Sequence, residues 1–229
     1  CWLYAVTRSE SRVTAYKRRV PQVIDELARR PVRVAKPASF NLDRADTELR
    51  RLADAGSLLL LTKGFYALAP ENRRGKEMRW RPTMEGVGFG VATAIFGADD
   101  VALVGPSAAR VHGCYPRALG TAFVAVPRQR RARQTIVGEI RFVKREVTKL
   151  DIVRAETDLG RGWATSFEQT ALDLCRDRPA WGVTDATKEE MIRLLADRID
   201  WDLIDEIAQR TRGVTTLRRL RSIVDRPER

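Results

Sequence analysis

DRADTELRRLADA at residues 43–55, followed directly by GSLLLLTKGFYAL at 56–68, decides how the first third of this chain is read. In the first stretch Glu48, Leu49 and Leu52 recur at helical spacing, with Asn41 or Asp43 placed to cap the helix and Gly56 to close it. The second carries two short apolar runs around Lys63-Gly64, the pattern of a tight β-hairpin. Upstream, YKRRVPQVIDELARR at 16–30 sets Val20, Val23, Ile24 and Leu27 on one helical face. Pro21 is tolerable there only in a first turn, and Pro31 ends the helix. Residues 32–40 contain Pro37 and little periodicity, so a short strand or turn and then a single-turn helix are expected. Helix, break, helix, hairpin is the element order of a winged helix-turn-helix, with 43–55 as recognition helix and Lys63-Gly64 as wing tip.

Charge supports a polyanionic partner. The chain of 229 residues carries a formal net charge of +12 and a pI near 10.3. Residues 1–82 hold 18 Lys+Arg against 9 Asp+Glu, whereas 83–229 hold 24 against 21, so the polyanion is expected to meet the N-terminal third first. Arg44, Arg50 and Arg51 share a helix whose Leu49 and Leu52 pack inward, which leaves guanidinium groups for phosphates and base edges. Lys63 reaches the adjacent backbone, and Lys17, Arg18 and Arg19 add phosphate contacts. The alternative is a solvated face of an ordinary helix. No apolar run approaches the ~20 residues of a membrane-spanning helix, and no stretch reads as a signal peptide. Cys1, Cys114 and Cys175 are too scattered for a disulfide framework, which suits a reducing, cytoplasmic setting. A first residue of Cys1 rather than Met leaves room for an upstream segment.

The expected fold class is α+β. An N-terminal arm at 1–15 precedes the winged helix-turn-helix at 16–69; a linker at 70–82 leads to a mixed α/β domain with a helical tail at 83–229. The linker, PENRRGKEMRWRP, places Arg73, Arg74 and Lys76 either along a DNA backbone or in a soluble tether. Beyond it the pattern predicts helices at 84–96, 107–112, 166–176, 187–198, 201–211 and 215–224. Strands are predicted at 101–104, 122–126, 140–143 and 150–153. Ser166 opens a capping box, and Asp200 and Thr215 cap tail helices. Leu203, Ile204 and Ile207 face the core or a partner subunit, which leaves a homodimer on DNA open.

A second basic cluster follows the strand at 122–126. Arg128, Arg130, Arg131 and Arg133 precede Arg141, Lys144 and Arg145 on the next strand. Such a surface binds the same DNA, RNA or an acidic protein, or is simply a solubilising loop. Catalytic readings are weaker. Gly86, Gly88 and Gly90 lack the Gly-Lys-Ser/Thr of a phosphate loop and fit close helix packing better. Ser107 with His112 lacks an acidic orienter; Ser107 is expected to cap a helix that His112 ends. Glu139, Glu146, Lys149 and Asp151 at strand ends permit a metal-dependent nuclease reading with unspecific spacing. One histidine and three scattered cysteines supply no spaced ligand set, so no metal or cofactor is expected.

With KGFYAL at 63–68, ALVGPSAARVHG at 102–113 and TAFVAVPR at 121–128, the chain resembles the AbiEi-type antitoxins from about Tyr16 to Arg176. The resemblance implies a bacterial antitoxin whose winged helix binds repeats in its own promoter through Arg44, Arg50, Arg51 and Lys63. It further implies repression of that toxin–antitoxin operon, a C-terminal antitoxin domain that counters a nucleotidyltransferase toxin without stable contact or, alternatively, by binding the toxin directly, and no catalysis by this chain. Residues 32–40 depart from the regular helix the family's pattern calls for.

Overall fold

The computed structural model describes residues 22–75, 79–176 and 180–226. Lys17, Arg18, Arg19 and Lys76 lie outside them. Within the described residues the chain is mixed α+β, with eight α-helices and two sheets, and it divides into two compact units, Cys1–Arg81 and Pro82–Arg229. No helix among them is long and apolar enough to cross a membrane.

The first unit is built on α1 (residues 22–29), β1 (Val34–Ala35), a 3-10 turn at Pro37–Ser39, α2 (Ala45–Asp54), β2 (Leu58–Thr62) and β3 (Phe65–Leu68). Ala45, Glu48, Leu49 and Leu52 fall on the buried face of α2, as a period of 3.6 requires. They join Val23 and Leu27 from α1 and Leu58, Tyr66 and Leu68 from the hairpin. The strands form an antiparallel sheet in the order β1-β3-β2, with β3 in the centre and buried at every position. Gly64 has a φ of 79° at the hairpin tip and Gly56 a φ of 74° after α2, conformations that favour glycine.

One local expectation fails and a neighbouring one holds. Neither Asn41 nor Asp43 caps α2; Arg44 takes that place with a left-handed φ of 57° and no side-chain cap bond, so the helix starts two residues later than Asp43. The segment 32–40 is a strand and a 3-10 turn, as its Pro37 dictates. Arg30 holds it: its guanidinium pairs with Glu26, donates to the Ser39 carbonyl at 3.0 Å and lies 4.8 Å from the centre of the Phe40 ring.

The second unit has α3 (Met84–Phe96), β4 (Ala102–Leu103), α4 (Pro106–Val111), β5 (Thr121–Val126), β6 (Arg133–Thr135), β7 (Gly138–Lys144), β8 (Ile152–Thr157) and β9 (Gly160–Thr165). Helices α5 (Phe167–Cys175), α6 (Asp185–Ala196), α7 (Trp201–Arg210) and α8 (Val214–Val224) complete it. The sheet runs β6-β7-β5-β4-β9-β8, with β5/β7 and β4/β9 parallel and the other pairs antiparallel. Alternation along β5 sends Ala122 and Val124 toward α3, while Phe123 and Ala125 enter a core shared with α4–α8. Helix α3 thus covers one face and the other helices the opposite one. Ile204 and Ile207 belong to that core, with Leu203 packed partly buried against it.

Several boundaries differ from the periodic reading. Strands β6 and β9 escape it because RQT has no apolar residue and GRGWAT carries two glycines. Residues 147–149 form a 3-10 turn, so β8 begins at Ile152 rather than at Leu150. Helix α6 is capped by Thr184 and α8 starts after Gly213 without a side-chain cap, so Thr215 caps nothing. Ser166 and Asp200 do cap α5 and α7. Gly105, not Ser107, precedes α4; the Ser107 hydroxyl instead accepts the Phe123 N–H at 2.8 Å.

The glycines of α3 serve packing. A Cβ at Gly88 would lie 2.5 Å from the Ala122 Cβ, which has no rotamer with which to retreat. Gly88→Ala is expected to destabilise the unit by about 1–3 kcal/mol, outweighing the ~1 kcal/mol helix-propensity gain. Thermal unfolding checks this, and an unchanged or raised midpoint would show that the helix and sheet separate without cost.

Candidate nucleic-acid interface

On α2 the buried face leaves Asp46, Thr47, Arg50, Arg51 and Asp54 outward, with all five exposed. Arg50 lies 3.7 Å from Asp46 across one turn, an exposed pair of small worth that a phosphate can displace. Arg44 is exposed immediately before the helix, and Lys63 is exposed at the hairpin tip. The outward charge of α2 itself is balanced, so Arg44 and Lys63 supply the excess. Beneath them Glu48 is buried and its Oε2 has no hydrogen-bond partner among the described residues.

The beginning of the 70–82 stretch has structure of its own. A 3-10 turn spans Glu71–Arg73, the Arg74 Nε donates to the Ala69 carbonyl at 3.0 Å, and the Gly75 N–H donates to the Gly56 carbonyl at 3.1 Å. Arg73 is exposed, whereas Arg74 is half-buried and engaged by the backbone.

In the second unit, Arg128, Arg130 and Arg131 are exposed on the loop between β5 and β6, and Arg133 is half-buried on β6. Arg130 lies 5.3 Å from the centre of the Phe96 ring. Gln129 fixes the loop by donating from Nε2 to the Arg130 and Phe142 carbonyls, both at 3.0 Å. Arg141 pairs with Glu139 at 2.5 Å, and Lys144 is exposed at the end of β7. Arg145 corrects the expected patch. It lies just past the strand, is largely buried, and its Nη1 pairs with Asp173, so it is an internal countercharge rather than a surface contact.

Asp173 and Arg176 were not anticipated. Asp173 is 1% exposed, accepts from the Gln169 Nε2 at 3.0 Å and lies 3.8 Å from the Arg176 Nη1. Burial pushes its carboxyl above the usual range, against the pull of Arg145, Arg176 and Gln169. In sequence Asp173 is only an aspartate inside a helix predicted over 166–176; the burial it shares with every residue from Glu168 to Cys175 arises from the packing around it.

The catalytic alternatives gain no assembled site. Glu139 is occupied by Arg141 and by Gln134 at 2.9 Å, and Glu146 pairs with Lys149 at 2.7 Å. Among the described residues no three His, Cys, Asp or Glu side chains are grouped to hold a metal. His112 Nε2 meets the Thr165 carbonyl at 2.6 Å, while its ring sits 4.3 Å from that of Phe167. Burial lowers its pKa; the Thr165 hydrogen bond and Glu168 oppose this, and the Arg198 charge reinforces it. Compared with protein-family models and with curated proteins, the chain matches none.

Two tests separate structural from surface charge. Arg145→Ala is expected to cost about 3–5 kcal/mol in urea unfolding, because it strips a buried carboxylate of its closest cation. Arg128→Ala is expected to stay within about 0.5 kcal/mol of wild type; equal effects would refute the distinction. For the only histidine, folding weakens proton binding, so the unfolded chain holds the extra proton below the ordinary pKa of 6.5. Stability is therefore lost as pH falls through and below that value and is present above it. Between about pH 7 and pH 5 the loss is expected to be steeper in wild type than in His112→Gln, and parallel profiles would contradict it.

Proposed function

We propose that this chain is a DNA-binding repressor of the AbiEi antitoxin type, acting on its own promoter. One observation carries the reading: an amphipathic helix, α2, with a leucine face in the core and arginines outward, runs directly into a hairpin tipped by an exposed lysine. That is the element order of a winged helix-turn-helix, with Arg50 and Arg51 directed at base edges and Arg44 and Lys63 at phosphates. The charge excess of the N-terminal third and the resemblance in sequence agree with it. The 3-10 turn at 37–39 stands where a regular helix of the motif would be, so α1 and α2 are linked through a short strand and that turn.

Within this reading the C-terminal unit is the antitoxin domain that offsets a nucleotidyltransferase toxin, and Arg128, Arg130 and Arg131 extend the DNA footprint. The test is binding of the full chain to the DNA preceding its own gene, read by electrophoretic retardation. Arg50→Ala with Arg51→Ala is expected to lower affinity by about tenfold or more, as loss of one good bidentate base contact does, without changing the unfolding midpoint. Wild-type affinity should also fall steeply with salt, by roughly 10³–10⁵ between 50 and 200 mM if ~6–10 phosphates are neutralised. Unchanged retardation by the double variant, or binding indifferent to salt, would reject the assignment.

A further inference from the structure

The end of β7, the loop before β6 and the C-terminal turn of α5 border an open cavity of about 500 Å3, lined by Gln129, Phe142, Val143, Lys144, Arg145, Asp173 and Arg176. This lies within the roughly 300–1,000 Å3 of pockets that bury small ligands. Three cations and one carboxylate meet there, and the carboxylate is at the buried side, where it fixes the arginines. The pairing with Asp173 is the one side-chain hydrogen bond of Arg145 among the described residues, and it uses a single nitrogen of a guanidinium with five donors. Arg176 reaches from Asp173 to the Thr211 hydroxyl at 3.3 Å, so its guanidinium is held as well. Lys144 has no hydrogen-bond or ion-pair partner among the described residues.

Two features point to a ligand. An Arg–Asp pair at this depth gives no more stability than apolar packing of the same volume, so stability alone does not account for it. A concave site with a net positive lining and low-dielectric walls also concentrates anions, and its arginines are already oriented before anything binds.

We propose that this cavity binds a phosphate monoester, with Arg145, Arg176 and Lys144 holding the phosphate oxygens and the Val143 side chain packing against the group that carries it. Rigid guanidinium forks suit a tetrahedral oxyanion, and a mobile lysine beside them completes the charge. The phosphate belongs either to a free nucleotide or to the 5′ end of a nucleic-acid strand lying along Arg128–Arg131. The site is independent of DNA binding by the N-terminal unit.

The experiment uses the full chain and two kinds of probe. AMP is titrated by calorimetry, and a short single-stranded oligonucleotide with a 5′-phosphate is compared, by fluorescence anisotropy, with the same strand ending in a 5′-hydroxyl. AMP binding identifies the free nucleotide as the source; a preference of about tenfold or more for the phosphorylated strand, the worth of one charge-assisted hydrogen bond, identifies the strand end. Either is expected to be lost in Lys144→Glu and in Arg176→Ala, and kept in Arg161→Ala, which removes an exposed arginine of β9 that does not line the cavity. Lys144 is exposed and makes no internal bond, so its variant remains informative if Arg176→Ala unfolds. Binding of neither probe, or binding that Lys144→Glu leaves unchanged, would overturn the proposal.

Discussion

A carboxylate removed from water persists only where charge and hydrogen bonds replace its hydration, and Asp173 imposes that condition on the second unit. Its surroundings come from every side. Arg145 arrives from the end of β7, Gln169 and Arg176 from α5, and the Trp181 indole N–H closes on its carbonyl at 2.9 Å. Trp181 in turn meets Phe123 of β5 edge-on, with ring centres 5.1 Å apart, and occupies the space that a side chain at Gly105 would need. Arg176 carries the connection to Thr211 at the end of α7. Sheet, central helix and helical tail are thus joined through one residue, and the joint also forms the wall of the cavity.

The same contacts sort the arginines of a strongly basic chain. Arg30 and Arg74 hold backbone carbonyls in the first unit. Arg110 binds Glu85 at 2.7 Å and the Arg117 carbonyl, and Arg198 holds the His112 carbonyl at 2.6 Å. Each hydrogen-bonds within the fold, Arg198 while still exposed to solvent. Arg44, Arg128 and Arg131, by contrast, lie out in solvent on turns and loops. Net charge therefore overstates the basic surface, and only the geometry separates the two populations.

Legibility in the sequence followed physical lines. Helix α2, the hairpin and the tail helices were readable because their apolar positions repeat at fixed spacing, as in Leu49 and Leu52 or Ile204 and Ile207. Strand β9 was not, because Gly162 is there to admit the Phe89 ring, a packing demand of α3 that no local pattern records. The start of α2 was misplaced because Arg44 adopts a left-handed conformation in place of the expected Asp43 cap. The exposed members of the basic surfaces were visible as charge clusters. Their depth was not: Arg145 and Lys144 are neighbours in sequence, yet one faces Asp173 and the other solvent. Asp173 and Arg176 come together with Arg145 only through the fold, across 28 residues in the case of Arg145.

The position of β4 bears on the order in which the chain matures. This strand of two residues is interior to the six-stranded sheet, and its parallel partner in β9 joins Leu103 to Ala164, roughly sixty residues later. Closing so long a loop is slow relative to local pairing. The described contacts of the N-terminal unit, in contrast, lie within residues 22–75. On the ribosome that unit can fold while β8 and β9 are still unmade, leaving β4 as an open edge and the apolar faces of β5 partly uncovered. For a nascent chain, the interval from completion of β5 at Val126 to that of α8 at Val224 is therefore the period of greatest exposure to aggregation and to chaperones.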